Sequence, residues 1–156
     1  MIRFEQVSKT YRGGFQALKN VSFQIEKGEM IFVAGHSGAG KSTVLKLIAG
    51  ITKPSSGKVW MNGRDIGSLN DNQIGFLRQH IGIVFQDHKI LFDRSVLQNV
   101  LLPLQIIGYG RAEAEKRARV AIAKVGLAGR ENADPVTLSG GEQQRLCIAR
   151  AVVHQP

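Results

Sequence analysis

The sequence predicts a layered α/β fold, and one stretch of the chain carries most of that prediction. Residues 30–34 form a continuous apolar run, which is typical of a strand buried on both faces of a sheet. A glycine-rich loop follows directly, and residues 41–49 then place apolar side chains at helical spacing. A strand that leads through a short loop into a helix is the basic unit of α/β proteins. The 18 glycines and the 6% aromatic content fit that class as well.

Short patterns predict the other strands. Residues 2–7 and 21–25 alternate apolar and polar side chains, so we expect a half-exposed antiparallel sheet at the N-terminus. Residues 58–61 precede an Asn62-Gly63 pair, which is a turn signal. Residues 81–85 form a second continuous apolar run and predict another buried strand.

The second half of the chain is predominantly helical in its spacing. The pattern holds from about residue 94 to residue 127, which predicts an all-helical insert, and residues 142–153 predict one more helix. These patterns divide the chain into an antiparallel β part (1–29), a core around the glycine-rich loop (30–88), a helical subdomain (89–140) and a final helix (141–156).

The chain is strongly basic, with a formal net charge of +9 and a pI near 10.1. Such a balance can mark a nucleic-acid or membrane-surface protein. The densest basic cluster, residues 111–119, has glutamates three and four positions before its basic residues, which is typical of a solvated helix face. We therefore expect no specific nucleic-acid binding. The single cysteine, Cys147, excludes an intrachain disulfide, and no stretch is typical of a secretion signal or a membrane span, which favours a cytoplasmic protein.

The glycine-rich loop matches the pattern G-x-x-x-x-G-K-[ST]. Glycines let successive backbone N–H groups point inward at a crowded anion, and the following helix adds the positive end of its dipole. A lysine in this pattern reaches the β- and γ-phosphates, and the hydroxyl after it ligates Mg²⁺. The expected nucleotide contacts here are Gly35, His36, Ser37, Gly38, Ala39, Gly40, Lys41, Ser42 and Thr43, with Ser42 as the magnesium ligand.

A second glycine motif lies just before the last predicted helix. Its residues are Ser139, Gly140, Gly141 and Glu142, within the run LSGGEQQR. A serine and two glycines at a helix start form another terminus that can receive an anion. On residue types alone, an ordinary helix cap is the alternative explanation of the motif.

Together the two motifs resemble those of the ATP-binding-cassette ATPases, and the resemblance spans the full chain. It implies a P-loop NTPase core of the RecA-like type, ATP hydrolysis with Mg²⁺, and a head-to-tail homodimer. It also implies that Tyr11 stacks on adenine, and that Gln86 contacts Mg²⁺ and the attacking water beside Lys41. Ser139, Gly140, Gly141 and Glu142 would bind the γ-phosphate held by the other subunit. A surface tyrosine and a strand-terminal polar residue remain the alternatives for Tyr11 and Gln86.

A narrower resemblance points to the cell-division members of that family. It rests on residues 1–5, 35–40 and 85–94, with His36 and His88 as markers of the subfamily and not as metal ligands. It implies an integral membrane partner and a peripheral position on the inner face of the bacterial plasma membrane. Lipoprotein-release and macrolide-efflux ATPases of the family remain the alternative.

The family's catalytic core continues past its signature helix with a strand ending in Asp-Glu and, later, a sensor histidine. Residues 1–156 contain neither, so the C-terminal part of the core is expected to be missing from this polypeptide. We therefore expect it to bind nucleotide weakly and to hydrolyse it poorly, with a vacant strand position beside the strand at 30–34. A non-catalytic nucleotide-binding module and a nucleic-acid-associated cassette are the competing hypotheses.

Overall fold

The structure, a computed structural model, describes all 156 residues, which divide into two compact units, Met1–Arg78 and Gln79–Pro156. Unit 1 carries a sheet and two helices, and unit 2 is helical, so the mixed α/β class is confirmed. The elements are β1 (Ile2–Thr10), β2 (Gln16–Ile25), α1 (Lys41–Ile48), β3 (Ser56–Met61), β4 (Arg64–Asp65), α2 (Asp71–Arg78), α3 (Val96–Ile107), α4 (Arg111–Lys124) and α5 (Gly140–Val152).

The sheet of unit 1 is antiparallel throughout, as the alternating patterns predicted. Its strand order is β2-β1-β3-β4, with Ile2 opposite Ile25 on one side and opposite Met61 on the other. Asn62 and Gly63 both have positive φ, 49° and 78°, which is the backbone of the tight hairpin turn that joins β3 to β4. The sheet therefore continues well beyond the predicted boundary at residue 29.

One face of this sheet forms the core of unit 1 with helix α1. The rings of Phe4 and Phe23 stack with their centroids 4.4 Å apart. The buried side chains of the cluster are Phe4, Val7, Leu18, Val44, Leu47, Val59, Ile66 and Ile74. Burial of Val44 and Leu47 fixes α1 on the sheet, and this in turn fixes the loop that precedes α1.

Unit 2 has its own apolar core between α3, α4 and α5. Ser95 and Gln98 form a capping box at the start of α3, and Gly108, with φ of 94°, ends that helix. The fully buried side chains include Val96, Val100, Leu104, Ala118, Ile122 and Ala149. The predicted helical pattern from residue 94 to residue 127 is thus two helices, and the predicted last helix is α5.

The strands predicted at residues 30–34 and 81–85 are not formed. Met30 is 81% exposed, Phe32 84% and Val84 44%, whereas strands buried on both faces were expected. A strand of that kind needs hydrogen-bonded neighbours, and the one sheet of the chain, β2-β1-β3-β4, pairs with neither run. The side chains of Met30, Phe32 and Val84 are therefore exposed to solvent. The vacant strand position expected beside residues 30–34 stays a prediction, because the strand next to which it was expected is not formed.

Two expectations from composition hold. Glu113 binds Arg117 at 2.6 Å and Glu115 binds Arg119 at 2.7 Å, each pair one helical turn apart on α4, so the densest basic cluster is a solvated helix face. Cys147 is buried, and its burial raises the pKa of the thiol. None of the helices has both the length and the apolar character that a membrane crossing requires.

Candidate functional site

The glycine-rich loop has the backbone that its glycines predicted. Gly38 and Gly40 lie in the left-handed region, with φ of 81° and 88°. Gly40 also leaves no room for a side chain, because a Cβ there would lie 2.5 Å from the carbonyl oxygen of Ala17. The loop can therefore take this shape only with glycine at position 40.

Helix α1 begins directly after Gly40, and its N-terminus is uncapped by any side chain. The first turn of a helix has N–H groups without helical partners, and the helix dipole places partial positive charge there. The loop before it is exposed from Gly35 to Ala39. These features leave an open, anion-receptive end on a helix whose other side is anchored in the core.

Lys41 closes the loop on itself. Its ammonium Nζ donates to the carbonyl oxygens of Gly35 and His36, each at 2.7 Å. A second local bond links His36 Nδ1 to the carbonyl of Ser37 at 2.7 Å. The lysine thus holds the loop in a curved shape through bonds that a phosphate oxygen can replace, since the ammonium is a mobile point charge with three donors.

Tyr11 lies beside the first turn of α1. Its hydroxyl is 3.3 Å from the hydroxyl of Thr43, which is buried in the first turn of α1. The ammonium of Lys9 lies 5.2 Å from the centre of the Tyr11 ring and donates to the carbonyl of Lys53 at 2.7 Å. The ring is therefore held from one side by a cation and at its tip by a hydroxyl.

The magnesium ligand predicted in this unit fits the geometry. The Ser42 hydroxyl is in the first turn of α1, exposed, and makes no hydrogen bond within the chain. Mg²⁺ in nucleotide sites takes one or two protein oxygens and completes its shell with phosphate and water. A single free hydroxyl beside an anion-receptive helix end is consistent with that donor set.

Gln86, in unit 2, occupies the centre of an exposed turn. The backbone N–H of His88 donates to the carbonyl of Phe85 at 3.1 Å, which closes the turn around Gln86 and Asp87. Lys89 binds Asp87 at 2.6 Å, and that hydrogen bond lowers the pKa of the Asp87 carboxyl. The Gln86 amide is left free for a ligand.

The second glycine motif forms the start of α5. Ser139 is the cap: its hydroxyl accepts from the Glu142 N–H at 3.4 Å, and the Glu142 carboxylate accepts from both the Ser139 N–H (2.9 Å) and the Ser139 hydroxyl (2.7 Å). These bonds from Ser139 lower the pKa of Glu142. Gly140 and Gly141 are exposed, so the backbone of the first turn is accessible. The helix-cap interpretation is therefore correct for Ser139, and it leaves an anion role open.

The predicted residues thus gather in two groups, one in each unit. Tyr11 and residues 35–43 come together in unit 1, while Gln86 and residues 139–142 belong to unit 2. The sequence patterns did not predict three contacts. These are the contact of the Lys9 ammonium with the Tyr11 ring and the hydrogen bonds that Asn99 and Arg150 make near Gln86. Asn99 left only a weak signal in the sequence, because it is a polar residue of the predominantly apolar helix α3 and follows another amide, Gln98.

Comparison with known proteins places these motifs in a family. Residues 18–156 match the family described as ABC transporter. The chain is 54% identical, over 156 residues, to the cell division ATP-binding protein FtsE of Escherichia coli strain K12, and this match covers 100% of the chain and 70% of that protein. The match is therefore to most of the length of that relative.

Two further similarities extend the picture. The lipoprotein-releasing system ATP-binding protein LolD of Saccharophagus degradans is 43% identical over 160 residues, covering 100% of the chain and 70% of LolD. A dimeric structure of the ATP-binding cassette MJ0796, in a post-hydrolysis state with ADP and Pi, superposes with a TM-score of 0.93 at 38% identity. That superposition covers 100% of the chain and 71% of the cassette.

Proposed function

The chain belongs to the ABC transporter family, and from that premise we propose that it binds MgATP and couples the nucleotide cycle to a membrane partner in bacterial cell division. ATPases of this family hydrolyse ATP. The higher identity to FtsE (54%) than to LolD (43%) favours the cell-division role. The partner would be an integral membrane protein of the FtsX kind, which places the chain on the cytoplasmic face of the membrane.

The open N-terminus of α1 carries the nucleotide proposal. An uncapped helix end, a loop bent by Gly38 and Gly40, and a lysine bound only to loop carbonyls together present donors without a permanent acceptor. A triphosphate supplies the acceptors, and Lys41 exchanges two carbonyls for phosphate oxygens. Ser42 would hold Mg²⁺, which would neutralise the charge of the phosphates. The proposal that Gln86 is a second ligand rests on the family resemblance alone.

The other residues take their roles from this arrangement. We propose that the ring of Tyr11 stacks on adenine and that Ser139, Gly140, Gly141 and Glu142 contact the γ-phosphate held by a second subunit in a head-to-tail dimer. The dimeric structure of the MJ0796 cassette with ADP and Pi supports the dimer of this proposal. A polypeptide of residues 1–156 alone is proposed to turn over ATP poorly, because it includes no Asp-Glu pair to activate water.

The half-exposed apolar surface of α3 is the proposed route to the membrane partner. Phe92 and Ile106 are both more than half exposed, on the segment and helix that follow Gln86.

Lipoprotein release remains a second candidate, supported by the LolD similarity. Complementation distinguishes them: the complete protein should restore division, but not lipoprotein release, in bacteria depleted of their own FtsE or LolD. Rescue of only the lipoprotein-release defect contradicts the cell-division proposal.

Replacement of Lys41 tests the nucleotide site itself. Lys41→Ala removes the charge proposed to bind two phosphates, so ATP affinity of the complete protein should fall about a hundredfold, as expected for hydrogen bonds to charged groups. Lys46→Ala is the matched control, because Lys46 is an exposed lysine on the same helix. Equal ATP affinity of the two variants in a calorimetric titration contradicts the proposed function.

A further inference from the structure

The backbone just after Gln86 is strained. His88 and Lys89 both have positive φ, 58° and 49°, and neither is glycine. Two successive residues with side chains in the left-handed region are unfavourable, and such a conformation persists only where surrounding contacts determine it. The structure of unit 2 shows which contacts these are.

Arg150 of α5 holds the strained pair from one side. Its guanidinium donates from Nη2 to the carbonyl of His88 and from Nη1 to the carbonyl of Lys89, both at 2.8 Å. The thiol of Cys147, one turn earlier on the same helix, donates to the His88 carbonyl at 3.2 Å. A planar, always charged guanidinium suits this fork of two carbonyls better than any other side chain.

Asn99 of α3 holds the next part of the segment, and it is fully buried. Its Oδ1 accepts from the Leu91 N–H at 3.0 Å, and its Nδ2 donates to the carbonyls of Leu91 (2.9 Å) and Arg94 (3.1 Å). Arg150 Nη1 also reaches Asn99 Oδ1 at 3.4 Å. One partly buried network thus ties residues 88–94 to two helices at once, and side-chain networks of this kind are rigid when every member is satisfied.

From these contacts we infer that Arg150 and Asn99 are positioning residues, which fix Gln86 relative to α5. Through them, a movement of the second glycine motif is transmitted to Gln86. Helix α5 begins with that motif and continues without a break to Val152, so its hydrogen-bonded turns connect Ser139 to Arg150. A γ-phosphate bound at Ser139 therefore shifts Arg150 together with the carbonyls it holds, two residues after Gln86. The inference rests on the proposed function, because it assumes roles for Gln86 and Ser139 in the nucleotide cycle.

A double-mutant cycle in the complete protein tests it. Arg150→Met removes the fork, so kcat for ATP hydrolysis should fall about tenfold, the size of effect expected for a coupling residue, while ATP affinity is retained. If Arg150 acts through Gln86, the double variant with Gln86→Ala should be no slower than Gln86→Ala alone. Arg119→Met, which breaks only an exposed ion pair on α4, is the control and should leave kcat unchanged.

A second readout follows the segment directly. Hydrogen exchange at the Leu91 amide should quicken in Arg150→Met and less so in Arg150→Lys, which keeps the charge but loses the fork. If Arg150→Met does not fold, Arg150→Lys and Asn99→Ser enter the same cycle with Gln86→Ala. If Gln86→Ala is impaired and the losses in kcat of the two single variants multiply in the double variant, this inference is overturned while the proposed function stands. Full turnover by Gln86→Ala overturns the proposed role of Gln86, and the inference with it.

Discussion

Two helices of this protein begin with glycine motifs, but their first turns are satisfied in opposite ways. At α1 the cap residue is Gly40, which offers no side chain, and the nearest cation, Lys41, is bound only to loop carbonyls. At α5 the cap is Ser139, whose hydroxyl and N–H are both bonded to Glu142. No donor of the first helix end is bonded to a side-chain cap, whereas at the second the Glu142 N–H is already bonded to Ser139.

The difference shows that a helix N-terminus is not one kind of site. An anion at α1 gains hydrogen bonds without displacing a cap, which suits tight binding of a charged ligand. An anion that binds the Ser139 hydroxyl at α5 must take it from the Glu142 carboxylate and must approach that negative charge. The first end is therefore suited to hold a nucleotide throughout its cycle, and the second is suited to a contact that is made and broken.

The largest effect expected from this comparison concerns the bend before α1. Gly40→Ala places a Cβ 2.5 Å from the Ala17 carbonyl oxygen and 2.7 Å from Leu18 Cδ2, at a φ of 88°. We expect about 3 kcal/mol or more of lost stability, from the left-handed backbone and the overpacking together. Urea unfolding measures it, and ATP binding should be lost in the same variant.

Gly38→Ala is the matched control for that change. Its φ of 81° is similar, yet a Cβ there meets nothing within 4 Å. It should lose only the backbone contribution, about 1–2 kcal/mol. If the two variants unfold at the same urea concentration, the close approach at Gly40 has no energetic weight, and the loop is less fixed than we describe.

The next effect sharpens the comparison at α5. Ser139→Ala removes the cap, so about 1 kcal/mol of stability should be lost, and ATP-dependent dimerisation of the complete protein should weaken. Ser95→Ala is an unusually close control, because Ser95 and Gln98 form the same capping box at the start of α3. Ser95→Ala should lose a similar free energy of unfolding. It should leave dimerisation intact, as measured by analytical ultracentrifugation. Equal loss of dimer in both variants assigns Ser139 to capping alone.

The helices and the turn that the sequence predicted have local hydrogen bonds. Helices α3 to α5 and the hairpin at Asn62-Gly63 satisfy their backbones within a few residues, so periodicity and turn residues suffice to find them. Lys41 of the site loop belongs to the same class, since its ammonium bonds to carbonyls five and six residues earlier. Each of these is a short-range pattern that one sequence can display.

The failures involve partners that are remote in sequence. An apolar run such as residues 30–34 indicates burial but cannot say which strands cover it, and in this structure none pairs with it. The hold of Arg150 on His88 joins positions 62 residues apart, and nothing in the local pattern of α5 indicates it. Residue spacing alone therefore identifies the glycine-rich loop but not Arg150 and Asn99, the residues proposed to position Gln86.

The smallest effect expected isolates the charge of Glu142. Hydrogen bonds from Ser139 lower its pKa, so the stabilising contribution is present above the ordinary range of a glutamate and is lost as pH falls through the lowered folded value. Glu142→Gln keeps a capping-box residue, and its unfolding midpoint should therefore vary less between neutral and acidic pH than that of the wild type. Gln98→Glu is the reciprocal change at α3 and should add an acid-dependent loss of the same sign. Thermal unfolding at a series of pH values measures both, and identical pH profiles for wild type and Glu142→Gln contradict the prediction.

Because Glu142→Gln also removes the negative charge that an incoming phosphate must approach, it should tighten the ATP-dependent dimer slightly, whereas Gln98→Glu should leave it unchanged.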